Sequence, residues 1–550
     1  MSNHLPGTSR TSHSGAQRFN HKTFDASPET IRRWIRALPL ADQRATIQHT
    51  TVALHRLNES FITLDERARA LALFTPLVNT LIKRVAHHYA KSPQPFTWKK
   101  RNHFDSVQAM LSEITHGYLI IINESPLPVP LQAVNDNERF NARRVPVGSD
   151  THHLCNALYQ AIEHLGQRLL HCYLVYTTPP TAVWSEIHRL YYIAETYNIP
   201  ATPFCLGLNP AQQQGHSVSV EHAYKRILLF SLANPYHLMP SEMGRAYQSL
   251  RSWAPQCRII RSDSPEKLHG RFYIDLESDL PPTHHTLNQH DLELPSLRLL
   301  DIAEILPSDR YQRALDRRLT QALIVRPERL TRREATTAEI TLANGLAACH
   351  HYIGNEHRVG LKGDQPQTES RTAKLLDHHD PIEVRTASRN SHQITFAAQQ
   401  KNSGLGGLAL HHHDPLQHLP TGALITYRAT TGNLNDGWNV GTVKWCRNHL
   451  DKGYELGIKC LAEGGAAVVT RAIDHDGNST EPYQHSLLTP DVDPLIHPTT
   501  LITPVDQYQV GDRLQIHGED QQFRVELTQL IETTWAYSHY RFRTIASHAH

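Results

Sequence analysis

The chain has 550 residues, of which 39% are hydrophobic and 20% charged, and its formal net charge is +2 at pH 7. This is globular composition, and the length predicts three or four domains of roughly 150 residues each. Collagen-like and wholly disordered chains are excluded, and so is a protein coated throughout in positive charge for nucleic acid. The seven cysteines form no CxxC pair, which favours free thiols over a disulfide framework or a zinc ribbon.

The first 27 residues are polar and contain no apolar segment. They predict a disordered tail over 1–27 and no signal peptide. The longest strongly apolar stretches, such as 118–122, are far too short to span a bilayer. We therefore expect a cytoplasmic protein without membrane insertion.

A helical domain is predicted over 28–125. Ser27 and Pro28 are typical of a helix start, with serine as the cap and proline in the first turn. Apolar residues then recur at helical spacing. Further amphipathic runs cover 40–57, 66–89 and 104–122. Pro76 lies in the second of these runs and is expected to kink or break that helix.

A second, mainly helical domain is predicted over 150–353. Apolar-periodic runs cover 152–176, 219–232, 241–253, 308–324 and 336–352. Short strand-like runs indicate an α/β insert near 256–300. No fixed repeat is found, so a strict solenoid is not supported. The following segment, 354–381, is rich in Gly, Asp, Gln and Ser and predicts a linker.

After residue 381 the sequence favours strands. Candidates cover 382–387, 393–399, 405–410, 423–429, 438–445, 454–461 and 466–473. Regularly spaced short strands predict a small antiparallel barrel, and further candidates at 514–516 and 523–527 suggest a C-terminal extension of one domain over 382–545. The fold class expected is multidomain α + β, with a large mainly α-helical N-terminal region followed by a C-terminal antiparallel β-barrel.

A glycine-rich segment opens one of these strands. Asn402, Ser403 and Gly404 come first, and Gly406 and Gly407 lead into the strand. Closely spaced glycines let another molecule approach the backbone, and an asparagine amide can read a base edge. Taken alone, the segment favours a glycine-rich β-turn or bulge.

Two later strands change that interpretation. Residues 438–445 (WNVGTVKW) and 454–461 (YELGIKCL) follow the segment in order. Together they resemble the PilZ domain, a small β-barrel known as a receptor for cyclic di-GMP. In that family a D/N-x-S-x-x-G motif opens a G-L-x-L strand, and later strands carry G-x-V-x-W and G-x-E-x-G patterns. The resemblance covers roughly 380–475. It implies a PilZ-like barrel with cyclic di-GMP as its ligand.

The resemblance also implies ligand-binding positions. Aligning Gly407 with the family strand places Asn402 at the D/N position and Gly404 at the Ser position. A second register keeps Ser403 but puts Lys401 at the D/N position, and we prefer the first because it keeps the strand register. In both registers one polar ligand group of the family motif is missing.

The family's second motif is RxxxR, which lies in a loop just before the barrel. Its two arginines grip phosphates and guanine edges, as suits the planar guanidinium fork. Arg385 and Arg389 match it near the glycine-rich segment. The spacing to Asn402 is shorter than the family usually has. These arginines, with Asn402, Ser403, Gly404 and Gly407, form the predicted cyclic di-GMP site.

The helical half resembles a region of large gammaproteobacterial PilZ-domain proteins, on segments 188–195 and 223–235. It contains no catalytic motif, neither a Walker sequence nor a GxSxG elbow. We expect a non-enzymatic bacterial signalling protein that uses no cofactor. Its barrel would receive cyclic di-GMP and relay binding to a helical region that holds an unidentified protein partner. Pilus- or flagellum-based motility is a candidate output.

Two alternative interpretations stay open, and a metal site is a third possibility that the sequence disfavours. The barrel could be a ligand-blind scaffold acting only through protein contacts, which the incomplete motif favours. The basic run 310–333 could bind nucleic acid, although a solvated face or internal ion pairs are the simpler interpretation. The triplet 411–413 (HHH) suggests a metal, but adjacent residues on a strand point to opposite faces, so we predict no metal site there.

Overall fold

The structure is a computed structural model. It describes residues 25–90, 97–125, 149–206, 217–261, 272–283, 295–305, 314–324, 334–359, 395–404, 406–413, 419–430, 437–450, 452–474, 477–479, 481–490, 499–518 and 522–545.

The N-terminal half is mainly helical. Its described helices are α1 (Pro28–Arg36), α2 (Gln43–Glu59), α3 (Leu64–Ala90), α4 (Trp98–Glu124), α5 (Ser149–Leu174), α6 (Val183–Thr196), α7 (Val220–Leu232) and α8 (Pro240–Trp253). Polar caps start several of them. Ser27 Oγ accepts a hydrogen bond from Thr30 N at α1, and Asp42 Oδ1 accepts one from Ala45 N at α2. These caps satisfy backbone donors that a helix start leaves without partners.

Proline does not interrupt α3. The helix runs through Pro76, although the ring removes one backbone hydrogen bond. The hydroxyl oxygens of Thr75 on α3 and Tyr118 on α4 are 2.8 Å apart, within hydrogen-bond distance. They lie in a core that also buries Phe74. Packing of this long apolar stripe against α4 offsets the lost bond, so the predicted break does not occur.

Short strands interrupt the helical half. Strands β1 (Phe204–Cys205) and β2 (Ser217–Val218) form one pair, and β3 (Arg258–Arg261), β4 (Phe272–Asp275) and β5 (Leu297–Asp301) form an antiparallel sheet with β5 in the middle. This sheet occupies the predicted α/β insert. Helix α9 (Ala314–Ile324) follows.

A first barrel begins earlier than the sequence predicted. Its strands are β6 (Glu334–Ala335), β7 (Glu339–Asn344), β8 (Phe396–Gly404), β9 (Gly407–His412), β10 (Leu424–Ala429), β11 (Asn439–Asn448) and β12 (Tyr454–Ala462). Antiparallel pairing runs β8-β7-β10-β11-β12-β9, and β9 pairs back to β8 and closes the ring. The short β6 pairs with the end of β8.

A second barrel follows directly. It is closed by β13 (Ala466–Ile473), β14 (Gln484–Pro490), β15 (Thr499–Thr503), β16 (Arg513–His517), β17 (Gln522–Thr533) and β18 (Ser538–Ile545), in the order β13-β14-β15-β18-β17-β16. Counted from the first strand of each ring, both barrels have the order 1-2-3-6-5-4. The predicted extension is thus a second barrel of the same topology, and the domain predicted over 382–545 divides at about residue 465.

The segment 336–352, predicted as helix, divides into β7 and helix α10 (Leu346–Val359). Strand β7 sits between β8 and β10, so the first barrel takes strands from both sides of the predicted linker 354–381. The chain between β7 and β8, which contains 354–381, therefore connects two strands of one barrel rather than the barrel to the helical half. The strand candidate 382–387 lies outside the described residues.

The first barrel is docked on the helical half. Asn448 N donates to Tyr176 O at 2.8 Å, and Asn448 Nδ2 donates to Val175 O at 3.3 Å. Apolar residues of both parts belong to one continuous buried cluster. The predicted class, a helical N-terminal region followed by antiparallel barrel structure, is confirmed. No helix in the described ranges has the length and apolar character needed to cross a membrane.

Candidate ligand site on the first barrel

The predicted glycine-rich segment forms the β8–β9 hairpin. Gly404 pairs with Gly407 at its tip, and Cys460 N donates to Gly406 O at 3.1 Å. Gly407 has a φ of +150°, and a Cβ there would overlap the carbonyl oxygen of Ile458. Only glycine fits both conditions. The hairpin tip therefore lies directly against β12, with its backbone uncovered by side chains at these positions.

A β-bulge sets the direction of the motif side chains. The register shifts between Gln400 and Asn402, which leaves Lys401 as the extra residue. Asn402 then pairs with Ala409. Because Leu408 and Leu410 belong to the buried cluster, Ala409 and its partner Asn402 lie on the outer face.

Ser403 lies on the other face of β8. Its Oγ is 3.1 Å from Thr336 Oγ1, and Gln400 Nε2 donates to the same Thr336 atom at 3.4 Å. Ser403 is thus held in a contact within the protein. The register that places Asn402 at the D/N position stays a prediction.

A row of paired residues extends sideways from Asn402, and its middle members Ala409 and Gly457 are buried. Ala409 pairs with Gly457 on β12, and Gly457 pairs with Trp445 on β11. A Cβ at Gly457 would overlap the indole, so the ring of Trp445 lies on the glycine backbone. We call the row Asn402, Ala409, Gly457 and Trp445 the platform. Sequence reasoning quoted the tryptophan and the glycine as strand markers but did not predict that they touch.

Arg447 connects the platform to the helical half. Its guanidinium carbon is 5.5 Å from the centroid of one Trp445 ring and 5.3 Å from the ring centroid of Tyr236. Tyr236 OH in turn donates to Thr177 O at 3.1 Å. Burial raises the pKa of Tyr236 to about 12, so its hydroxyl stays a donor at neutral pH. These contacts offer a physical route between the barrel face and the helices.

The two predicted arginines, Arg385 and Arg389, lie outside the described residues. The structure adds strand β6 to the first barrel, and Glu334 of this strand pairs with Ser403. The residue before Glu334 is Arg333, and 329–333 (RLTRR) also matches RxxxR. It too lies outside the described residues, but it directly precedes the strand that joins the motif. The RxxxR pattern at 329–333 is visible in the sequence, but a barrel predicted to begin at residue 382 leaves it out.

The histidine triplet 411–413 and part of the basic run 310–333 lie within the described residues. His412 is buried, and the rings of His411 and His413 are 4.5 Å apart. Within the described residues no cluster of three or more His, Cys, Asp or Glu side chains could hold a metal. In the basic run, Arg318 Nη1 is 2.6 Å from Glu242 Oε1, an internal ion pair.

Comparison with known proteins identifies the family. The family model "Cyclic-di-GMP receptor FimW, N-terminal domain" matches residues 29–265, and the model "FimW C-terminal beta-barrel domain" matches residues 468–545, the second barrel. The cyclic-di-GMP receptor FimW of Pseudomonas aeruginosa strain PAO1 is 23% identical over 583 residues, covering 94% of this chain and 91% of the relative.

A solved structure is also similar to part of the chain. It is described as "MrkH, A novel c-di-GMP dependence transcription regulatory factor", with 8% identity over 28% of this chain and 75% of that chain. Its TM-score of 0.14 carries no argument about fold. The two family models match in chain order and the relative aligns almost end to end. The chain therefore belongs to the FimW family, which confirms the PilZ-like receptor family predicted from its strands.

Proposed function

We propose that this chain is a receptor for cyclic di-GMP and that the ligand binds on the platform of the first barrel. The observation that carries the proposal is the row Asn402, Ala409, Gly457 and Trp445, in a chain of the FimW family. A guanine base would stack on the half-buried indole of Trp445. The Asn402 amide offers both a donor and an acceptor to the base edge.

The phosphates need cations, and the platform row itself supplies none. We propose Arg329 and Arg333 for this role, because the strand that follows them pairs with the motif strand at Glu334. Arg385 and Arg389 remain the competing pair, since they also match RxxxR. Each pair offers two guanidinium forks suited to phosphate oxygens.

The relay would pass through Arg447. A base stacked on Trp445 would lie beside the guanidinium that contacts both Trp445 and Tyr236. Any displacement of Arg447 would change a contact between the barrel and the helices. A ligand that prefers one position of this side chain would shift the population of helical-half conformations. A protein partner on the helical half, a role in motility, a cytoplasmic location and the lack of catalysis remain predictions.

The experiment is calorimetric titration of cyclic di-GMP into the full chain. Trp445→Ala should weaken binding by about 5- to 150-fold, since base–aromatic stacking contributes about 1–3 kcal/mol per base. Asn402→Ala should also weaken it. Gln399→Ala is the matched control, because Gln399 is exposed on the same strand and pairs with His411 in the next row. Full affinity in both platform variants would disprove the site.

The arginine pairs are compared in the same titration. The double variant Arg329→Ala/Arg333→Ala and the double variant Arg385→Ala/Arg389→Ala each remove two charges, so a general loss of positive field affects both alike. We expect only the first to lose binding. Loss in the second alone would return the site to the pair predicted from sequence.

A ligand-blind scaffold is the second candidate, favoured by the missing polar group in the family motif. It predicts no heat and no thermal shift with saturating cyclic di-GMP in the wild-type chain. A nucleic-acid role for 310–333 receives less support, because Arg318 is already paired with Glu242. A salt-dependent gel shift lost in Arg317→Ala would revive it.

A further inference from the structure

The second barrel has a basic outer face that the proposed cyclic di-GMP site does not use. Strands β13, β16, β17 and β18 carry the arginines Arg471, Arg513, Arg524, Arg541 and Arg543. Their only carboxylates are Glu526 and Glu532. Glu526 is within ion-pair distance of Arg513 and Arg543, and Glu532 is paired with Lys444 of the first barrel.

Arg471 is held in place by neutral groups. Its Nε and Nη2 donate to Gln515 Oε1 at 2.9 and 2.7 Å, and its guanidinium carbon is 4.5 Å from the Tyr483 ring centroid. Tyr483 OH donates to the same Gln515 oxygen at 3.2 Å and lies 2.7 Å from His517 Nε2. Burial and then the charge of Arg471 lower the pKa of His517. Neutral groups therefore fix the position of the Arg471 guanidinium.

A second guanidinium lies in the same row. Arg471 pairs with Gln515, and Gln515 pairs with Arg524, so both arginines leave the same face about 10 Å apart at the backbone. The Arg524 guanidinium lies against Gly477, where its carbon would be 2.7 Å from an added Cβ. Gly477 also has a φ of +88°. The loop between β13 and β14 thus makes room for this side chain.

Neither arginine has a carboxylate within 4 Å among the described residues. In contrast, Arg543 on the same face has a carboxylate partner, Glu526. Two guanidinium groups on either side of an amide suit a ligand with two phosphate groups, because guanidinium N–H groups bind phosphate oxygens. The Nε2 amide of Gln515, which takes no part in the contacts above, adds a donor between them.

We propose that the row Arg471, Gln515 and Arg524 on the second barrel binds the phosphate groups of a small nucleotide, at a site separate from the platform. Nucleotide is favoured over a polyanionic chain because Arg471 and Arg524 lie together in one short row. Elsewhere on the face, Arg513 and Arg543 share Glu526. A nucleic-acid backbone would call for an unpaired track of cations across the barrel.

The first test is arginine footprinting of the full wild-type chain with phenylglyoxal, read by mass spectrometry, using inorganic pyrophosphate as the probe. Pyrophosphate should protect Arg471 and Arg524. Arg543, whose side chain is 68% exposed and paired with Glu526, should react as before and serves as an internal control. Equal protection of all three, or of none, would overturn the site.

The second test is calorimetric titration of pyrophosphate and of cyclic di-GMP into variants. Arg471→Lys and Arg524→Lys keep the charge but lose the fork, and each should weaken pyrophosphate binding about tenfold. Arg543→Lys should not. If two molecules of cyclic di-GMP bind per chain, and one is lost in Arg471→Lys but kept in Asn402→Ala, cyclic di-GMP is the nucleotide that occupies the second-barrel site. Tight binding of single-stranded oligonucleotides that grows with length would overturn the proposal in favour of nucleic acid.

The outcomes separate this site from the platform. Loss of cyclic di-GMP binding in Asn402→Ala with pyrophosphate protection intact would support both sites. Pyrophosphate protection in a chain that ignores cyclic di-GMP would support the second-barrel site alone. Unchanged pyrophosphate affinity in both lysine variants would refute it, whatever the platform does.

Discussion

Replacing Gly407 with alanine tests the most constrained position of the platform hairpin. The added Cβ would overlap the carbonyl oxygen of Ile458 and lie 3.1 Å from Lys459 Cα. Both obstacles are backbone atoms, so no side-chain rotation relieves them. Gly406 is the matched control, because it adjoins Gly407 and a Cβ there meets nothing within 4 Å.

Two costs add at Gly407. A residue other than glycine in this region of positive φ costs about 1–3 kcal/mol. Forcing a packed backbone apart costs about 1–3 kcal/mol more. A combined loss of about 3 kcal/mol in local stability is expected for Gly407→Ala, against about 0.5 kcal/mol or less for Gly406→Ala.

Hydrogen-exchange mass spectrometry on peptides from 396–412 measures this difference. A loss of 3 kcal/mol speeds exchange by local opening about 150-fold. The same peptides in Gly406→Ala should exchange nearly as in the wild type. Equal protection in the two variants would refute the reasoning, because it would mean that β8, β9 and β12 do not approach each other as described.

Three further predictions concern the packing around the barrels. Burial lowers the pKa of His350 to about 4, and it also lowers the pKa of His485, whose ring stacks on that of His350 at 4.2 Å between centroids. The unfolded chain takes up these two protons near pH 6.5, whereas the folded chain does not. The free energy of unfolding should therefore fall as the pH drops from 6.5 towards 4. Urea unfolding at pH 7 and pH 5 should show a smaller acid loss in His350→Gln, and an equal loss would contradict the assignment. Arg318→Ala leaves the carboxylate of Glu242, which is 7% exposed, without its ion pair. Thermal unfolding should show that the free energy of unfolding falls by about 1–2 kcal/mol, a value reduced by solvent screening. An unchanged stability would mean that the ion pair is absent. A fragment over 382–545 lacks β7, so its first barrel cannot close. Hydrogen exchange should show a protected second barrel and an unprotected first barrel. Protection of both barrels would contradict the strand order.

Local signals in the sequence were enough for most individual elements. The cap at Ser27 and the helical runs appear as α1 to α8, and the strand candidates from 405 to 473 appear within β8 to β13. These signals depend on periods of two and 3.6 residues, which are local properties of the chain. The sequence misassigned 336–352, where apolar residues favour helix locally but pairing with β8 and β10 makes the first part a strand.

The sequence by itself determined the class of fold, the glycine-rich hairpin and the PilZ-like family, because each depends on residues close together in the chain. Only the tertiary structure decided that there are two barrels of one topology, since ring closure joins strands far apart in sequence. It also decided that Trp445 lies on Gly457 beside Asn402, and that Arg471 and Arg524 share a row. Such neighbours are set by strand register, and register follows from the packing of the whole barrel rather than from any single strand.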